Sequence, residues 1–289
     1  MLVATTAGGP GTSRDLPSGR PSETELRLRP VANAQDLADN VAARAAAEPG
    51  VAPAPEQWVY VKTVEKGSSQ RSRTHEMWRR ADEKRFAYMD NGKLKVVEGS
   101  EFEVAYPYLL SLPAEPAQLL ARVYEEIDAE DVRRRASLLR RFEDMAERRG
   151  RSPEEARREA EAETPSLTAE QRNTYAFQHI TQGMRDAALP PGLRAAMYGA
   201  MAKIPGVRYK TGSSDLAKRP GVTLYRVHEG YLRDEIFIDP KTYEYLGYRS
   251  TVVEDREDRR TYFSVKKGQL LGWGSLLKAT VVDKPGDRS

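Results

Sequence analysis

The stretch Arg85-Phe-Ala-Tyr-Met-Asp-Asn-Gly-Lys-Leu-Lys-Val-Val-Glu98 decides the fold class. Two runs of strand-forming residues flank Asn91-Gly92. Both turn residues tolerate positive φ, as a two-residue hairpin turn requires, so residues 85–89 and 93–98 read as paired antiparallel strands. Toward the N-terminus, Trp58-Val-Tyr-Val-Lys-Thr-Val64 is equally dense in β-branched and aromatic residues. Gly67-Ser-Ser69 is turn chemistry, and residues 74–80 supply another strand. The first part of the body is therefore an antiparallel meander.

Downstream the period changes. Leu119, Leu120, Val123, Tyr124 and Ile127 recur at helical spacing, as do Leu138, Leu139, Phe142 and Met145. Thr168 is the expected N-cap of a helix near 169–187, with Glu170 and Gln171 in its first turn. Beyond Pro190-Pro191, the residues Leu193, Ala196, Met197, Ala200, Met201 and Ile204 form a core-facing stripe, which Ile204-Pro-Gly206 ends. Strand composition returns at 206–210, 222–227, 231–238, 244–253, 261–265 and 275–282. The links Arg219-Pro-Gly221, Glu229-Gly230, Asp239-Pro-Lys-Thr242 and Lys267-Gly268 are short, which makes their strands antiparallel neighbours. Strands, then helices, then strands predict a single α+β domain over 57–284: a curved antiparallel β-sheet with helices packed on one face, and no internal repeat.

Residues 1–56 read as a disordered or partly helical N-terminal linker. Residues 8–30 are rich in Gly, Pro and Ser, a composition that cannot repay its ordering entropy. Residues 31–47 favour a helix with Ala34, Leu37, Val41 and Ala45 on one face, ended by Pro49-Gly50. The opening Met1-Leu-Val-Ala-Thr-Thr-Ala-Gly-Gly-Pro10 is small and apolar but lacks the positive start of a signal peptide. It reads either as the trailing end of a deleted transmembrane span or as an ordinary flexible terminus. No stretch reaches the roughly 18–20 apolar residues of a membrane span.

Across 289 residues, Lys+Arg 46 stand against Asp+Glu 43, a formal net charge of +3. So near a balance gives no field that would draw nucleic acid. Residues 128–165 form a charged helical insertion, and 132–158 alone hold ten arginines. Glu143, Asp144, Glu147, Glu154, Glu155 and Glu159 interleave with them, which reads as the i,i+4 pairing of a solvated helix. The chain has no Cys, so disulfides, thiolate nucleophiles and cysteine zinc sites are excluded while the compartment stays open. His75, His179 and His228 show no ligand spacing, so no metal site is expected. Neither a nucleophile elbow nor a glycine-rich phosphate cradle is present, and no cofactor is expected. Two acidic clusters, Glu125-Glu126-Ile-Asp128 and Glu254-Asp255-Arg-Glu-Asp258, read as solvated charge rather than calcium sites.

What remains is aromatic: 14 Tyr, 3 Trp and 6 Phe. By strand position, Trp58, Tyr60, Trp78, Tyr225, Phe237 and Tyr248 are the candidate ligand-binding residues on the concave face of the curved sheet. Such a face suits an apolar small molecule, a lipid or a partner protein. Two other readings stay open: a hydrolase with a site assembled around one His, and an interaction protein using the Arg-rich helical segment.

Two segments also carry a resemblance. One is Pro190-Pro-Gly-Leu-Arg-Ala-Ala-Met-Tyr198, continued by Ile204-Pro-Gly-Val207, Asp215 and Arg219-Pro-Gly-Val222. The other is Ile236-Phe-Ile-Asp-Pro-Lys-Thr-Tyr-Glu-Tyr-Leu-Gly-Tyr248. With Gln57-Trp-Val-Tyr60 and Leu112-Pro-Ala-Glu-Pro-Ala-Gln-Leu-Leu120, they resemble a family of actinobacterial membrane-anchored proteins of unknown function, often encoded beside extracytoplasmic-function sigma factors. The resemblance covers 57–284, departs from the pattern at 128–165, and brings no catalytic residues. It implies a short cytoplasmic N-terminus, one span, and this domain outside the cytoplasm at the cell membrane. More distantly the layout resembles the half-barrel of LolA-like lipoprotein carriers and of the sigma-regulatory sensor RseB, a likeness of architecture from which function does not follow. The expectation is a non-enzymatic extracytoplasmic binding or sensory domain in sigma-factor-linked signalling, with an apolar ligand or a cell-envelope protein as partner.

Overall fold

Asn91 and Gly92 do adopt positive φ, 50° and 76°, and they set β3 (Arg85–Asp90) against β4 (Lys93–Glu98) with Arg85 opposite Glu98. The computed structural model describes residues 28, 30–47, 50–67, 71–258 and 263–289. The apolar start 1–10 and most of the 8–30 linker lie outside the described residues. Among the described residues no helix is long and apolar enough to cross a membrane.

β1 (Trp58–Lys66), β2 (Ser72–Arg80), β3 and β4 form the first meander. β5 (Arg208–Ser214), β6 (Pro220–His228), β7 (Leu232–Ile238) and β8 (Tyr245–Val252) form the second. A short hairpin, β9 (Arg256–Asp258) with β10 (Phe263–Val265), stands apart as its own two-stranded sheet. The long last strand, β11 (Leu270–Val282), pairs with β1 on one side and β8 on the other. It thereby joins the meanders into one nine-stranded antiparallel sheet, order β4-β3-β2-β1-β11-β8-β7-β6-β5. The sheet is curved and open, and the α+β architecture expected from the strand–helix–strand order is the one observed.

Among the described residues the helices are α1 (Ala34–Ala47), α2 (Tyr106–Ser111), α3 (Pro116–Arg148), α4 (Pro153–Glu163), α5 (Ala169–Arg185) and α6 (Pro191–Lys203). The two helical periods near 120 and 140 belong to one helix, α3, 33 residues long. Ser152 and Glu155 close a capping box that starts α4. Buried Ala146, Ala156 and Ala160 let α4 pack back along α3, so the charged insertion is a helical hairpin. Thr168 caps α5 as expected, with Gln171 completing the box. α1 packs on α6, and its Leu37 and Val41 belong to the main core.

Side chains alternate across a strand. Val59, Val61, Leu224, Ile236, Ile238 and Tyr245 face the helices and share one core with Phe177, Ile180 and Met197. Trp58, Tyr60, Trp78, Ala87 and Val282 form a separate cluster on the opposite, helix-free face.

Both resemblance segments have structural tasks. Arg219 grips Asp215 at 2.7 and 2.5 Å and donates to the carbonyls of Leu246 (2.9 Å) and Leu276 (2.8 Å). This clamp fastens the β5–β6 link to β8 and β11. Asp239 Oδ1 accepts from the backbone N–H of Lys241 and Thr242, which shapes the β7–β8 turn. At Gly247 a Cβ would fall 2.1 Å from the Gly274 carbonyl oxygen, so only glycine admits β11 this closely. A second clamp, Arg79, is 1% exposed and donates to Glu83 (2.8 Å) and to the carbonyls of Val104 (2.9 Å) and Asp186 (3.2 Å). It ties β2 to the entry of α2 and the exit of α5.

Candidate functional site

Five of the six aromatic candidates do not form a groove. Trp58, Tyr60, Trp78 and Phe237 are 6%, 1%, 0% and 0% exposed, and Tyr225 is half-buried. Tyr60 stacks on Trp78 with ring centroids 5.0 Å apart. The segment 283–289 then crosses this pair: Trp78 Nε1 donates to the Asp287 carbonyl at 2.5 Å, and the Arg288 guanidinium lies 5.5 Å from the Trp78 ring. Along β7 and β8, Arg249 covers Phe237 and Trp273, each at 5.2 Å, and Arg233 stands over Tyr225 at 5.9 Å. Buried Glu235 bridges both arginines, at 2.7 Å to Arg249 and 3.4 Å to Arg233. In this structure the face that carries these five rings is covered. Alternation says which face a ring points to, but long arginine side chains and the returning chain cover that face.

Tyr248 is the exception. It faces the helices, because β8 pairs it with Ile236 and Gly274. Its ring lies flat across β11, where a Cβ on Gly274 would sit 2.4 Å from its Cε1. Above it, the Arg185 guanidinium is 4.0 Å from the ring centroid, held by Glu65 Oε1 (3.0 Å) and Gln182 Oε1 (2.9 Å). Burial pushes the Tyr248 hydroxyl up to about 12 and also raises the Asp186 carboxyl beside it.

From Tyr248 a cleft of about 740 Å³ opens between α3, α5 and the β7–β8 floor. Its apolar surface comes from Val104, Ile127, Leu167, Tyr175 and Tyr248. The carboxylates of Glu103, Glu126, Glu130 and Asp234 stand among them, against the guanidiniums of Arg134 and Arg185. That volume is in the range of small-molecule sites, about 300–1,000 Å³. His179 also lines the cleft, edge-on to Tyr108 at 5.6 Å; its Nε2 is buried without a partner, and burial lowers its pKa and favours the neutral imidazole.

The floor holds a His–Asp–Ser grouping. Ser250 Oγ donates to Asp234 Oδ1 (2.5 Å), and Gln178 Nε2 donates to Asp234 Oδ2 (3.0 Å). His228 Nε2 stands 3.2 Å from Oδ2, off the line a hydrogen bond needs. Burial lowers the pKa of His228. The carboxylate sits in the middle, so no imidazole nitrogen faces the serine, whereas a serine nucleophile needs its base directly against the hydroxyl. Beside it, buried Arg226 reaches Glu170 (2.5 Å), Thr174 (2.6 Å) and the Pro205 carbonyl (3.0 Å). Together these bonds seat α5 on the sheet. His75 is exposed on β2, far along the sheet order from β6. Among the described residues, no group of three or more His, Asp or Glu is placed to hold a metal ion.

On the helical hairpin, Arg133 pairs with Glu126 (2.9 Å) and Glu130 (2.8 Å). Asp131 lies between Arg134 (2.6 Å) and Arg135 (2.9 Å), and Arg151 pairs with Glu155 and Glu159. Of the acidic clusters, Asp128 pairs with Arg172 at 2.7 Å and Asp255 with Lys266 at 3.2 Å. Arg259 and Arg260, which follow the second cluster in the sequence, lie outside the described residues.

Sequence reasoning missed Tyr175, His179, Arg185 and the α3 carboxylates, because only the docking of α3 and α5 on the sheet brings them together. One local signal was present. Gly272-Trp-Gly274 places two glycines on one face of a strand, which marks a bulky neighbour laid across it. Comparison with known proteins finds no family model, no curated protein and no solved structure that matches this chain.

Proposed function

We propose that this chain is a non-enzymatic binding or sensory domain that holds a small amphipathic molecule in the cleft between α3, α5 and the β7–β8 floor. One observation carries the reading: the cleft of about 740 Å³ combines an apolar wall with carboxylates, while the aromatic face opposite is covered by the molecule itself. The ligand class follows from the lining. Ile127, Leu167, Tyr175 and Tyr248 suit an apolar body, and Glu103, with Glu126 and Glu130 that share Arg133, gives the rim acceptors for a cationic head. The setting we propose rests on the two resemblance segments: outside the cytoplasm, at the cell membrane, in sigma-factor-linked sensing of a lipid or envelope component.

A thermal-shift panel of cationic, neutral and anionic amphiphiles tests the reading. Cationic members raise the Tm of the wild type, and Leu167→Arg, which puts a like charge into the cleft, abolishes that rise. A panel in which no class shifts Tm, or in which Leu167→Arg responds like the wild type, overturns it.

A further inference from the structure

The helix-free face holds a second recognition arrangement, independent of the cleft. Glu76 on β2 faces Arg288 in a two-pronged pairing, with Nε at 3.1 Å from Oε1 and Nη2 at 2.9 Å from Oε2. Such fork-to-fork pairs fix the plane of a guanidinium as well as its charge. Tyr60 donates its hydroxyl to Glu76 Oε1 at 2.7 Å, which orients the carboxylate before any partner arrives. Lys62 approaches the same carboxylate at 3.6 Å, so it is the residue that would neutralise Glu76 when Arg288 leaves. The guanidinium lies over the Trp78 indole, a cation–π placement. Trp78 Nε1 meanwhile holds the chain itself, through the Asp287 carbonyl.

The backbone of the bound segment is also specified. Gly286 has φ 102°, a backbone conformation that favours glycine, and a Cβ there would press on Leu94 Cδ2 at 3.3 Å. One indole, one oriented carboxylate and one backbone contact together read a chain, not an isolated ion. All of them sit on β1 and β2, outside the α3–α5 cleft.

We propose that the Tyr60–Glu76–Trp78 shelf is a binding site for an arginine carried on an extended peptide segment, and that residues 285–289 are its resident ligand in cis. The partner is a protein presenting an exposed glycine–acid–arginine stretch. A short tether gives the resident segment an effective concentration of order mM, so a partner displaces it only by binding more tightly than that. Displacement uncovers Trp78 and Tyr60, which couples partner binding to exposure of an aromatic surface.

The test uses a fluorescein-labelled peptide, Pro-Gly-Asp-Arg-Ser, copied from 285–289. It is titrated by fluorescence anisotropy against the full chain as wild type, Arg288→Ala and Arg288→Ala/Glu76→Gln. The expected result is at least ~10-fold tighter binding to Arg288→Ala than to the wild type, with the gain lost in the double variant. The indole N–H signal of Trp78 shifts on peptide addition to Arg288→Ala. The proposal is overturned if Arg288→Ala, folded with an unchanged circular dichroism spectrum, binds no better than the wild type. Equal binding of a peptide with alanine in place of arginine overturns it as well.

Discussion

Two aromatic regions of this molecule lie on opposite faces of one sheet and met opposite fates. Around Tyr60 and Trp78, the chain's own residues 283–289 fill the space above the rings. Around Tyr175 and Tyr248, two helices stand off from the floor and leave a cleft. Ring content does not distinguish them. The difference lies in what covers each face: an irregular arginine-bearing segment conforms to a flat shelf, whereas helices seated at fixed points cannot fill the space between their seats. Aromatic density therefore marks a surface worth covering, and the form of the cover decides whether room for a ligand is left.

The sharpest way to break this comparison is to delete one ring from each region. Trp78→Ala, at a fully buried position, is expected to cost about 3–5 kcal/mol in urea unfolding. Tyr175→Ala, at an exposed position in the cleft, is expected to stay within about 0.5 kcal/mol. Equal losses would mean that the two regions are not differently packed. Next in size is Gly274→Ala, whose Cβ would overlap the Tyr248 ring; overpacking of this kind costs about 1–3 kcal/mol and displaces the Arg185 stack from the cleft floor. A variant as stable as the parent would show that the floor can move.

A smaller effect probes the charge inside the cleft region. Burial raises the Asp186 carboxyl, so its charged form weakens the fold once pH passes its ordinary value of 3.8. Asp186→Asn should therefore raise Tm at neutral pH, and the gain should fade as pH falls toward that value. A Tm that drops at neutral pH would assign the carboxylate a stabilising partner instead. The smallest effect belongs to the covered face. The Arg288 pairing holds Glu76 down at about 2 against an ordinary 4.5, so the contribution of this pair is present above 4.5 and is lost as pH falls toward 2. Proteolysis at 283–289 should accelerate across that window in the wild type and show no such step in Glu76→Gln.

Much of the fold was legible because its signals are local. Asn91-Gly92 fixes one hairpin through φ alone, Thr168 and Gln171 fix a helix start, and the stripe from Leu193 to Ile204 is buried as its spacing requires. The helical period near 120 and 140 was legible too, but not its continuity, since the polar stretch between the two periods carries no apolar signal yet stays helical through Glu–Arg pairing. Of the short hairpin, β10 falls within the strand read at 261–265, whereas β9 (Arg256–Asp258) is all charged and has little strand propensity, and α2 begins at Tyr106-Pro107 with no side-chain cap to announce it. The site was the least legible part. Period-two alternation correctly set Trp58, Tyr60 and Trp78 on one side, but the covering groups, Arg288 and Arg249, come from distant positions in the sequence. The open cleft depends on where Arg226, Asp234 and Gln178 seat α5, and no spacing rule reports that.

The position of β11 also constrains how the molecule comes into being. Each meander can form from near neighbours in sequence, but the two have no shared border until residues 270–282 slide between them. During synthesis on the ribosome, β1 and β8 must wait with unpaired borders for the final strand, and closure links residues more than 200 positions apart, Trp58 with Val282. Such long-range closure is slow and leaves sticky borders in the meantime. Until that strand arrives, the two meanders stay separate sheets, each with an open border.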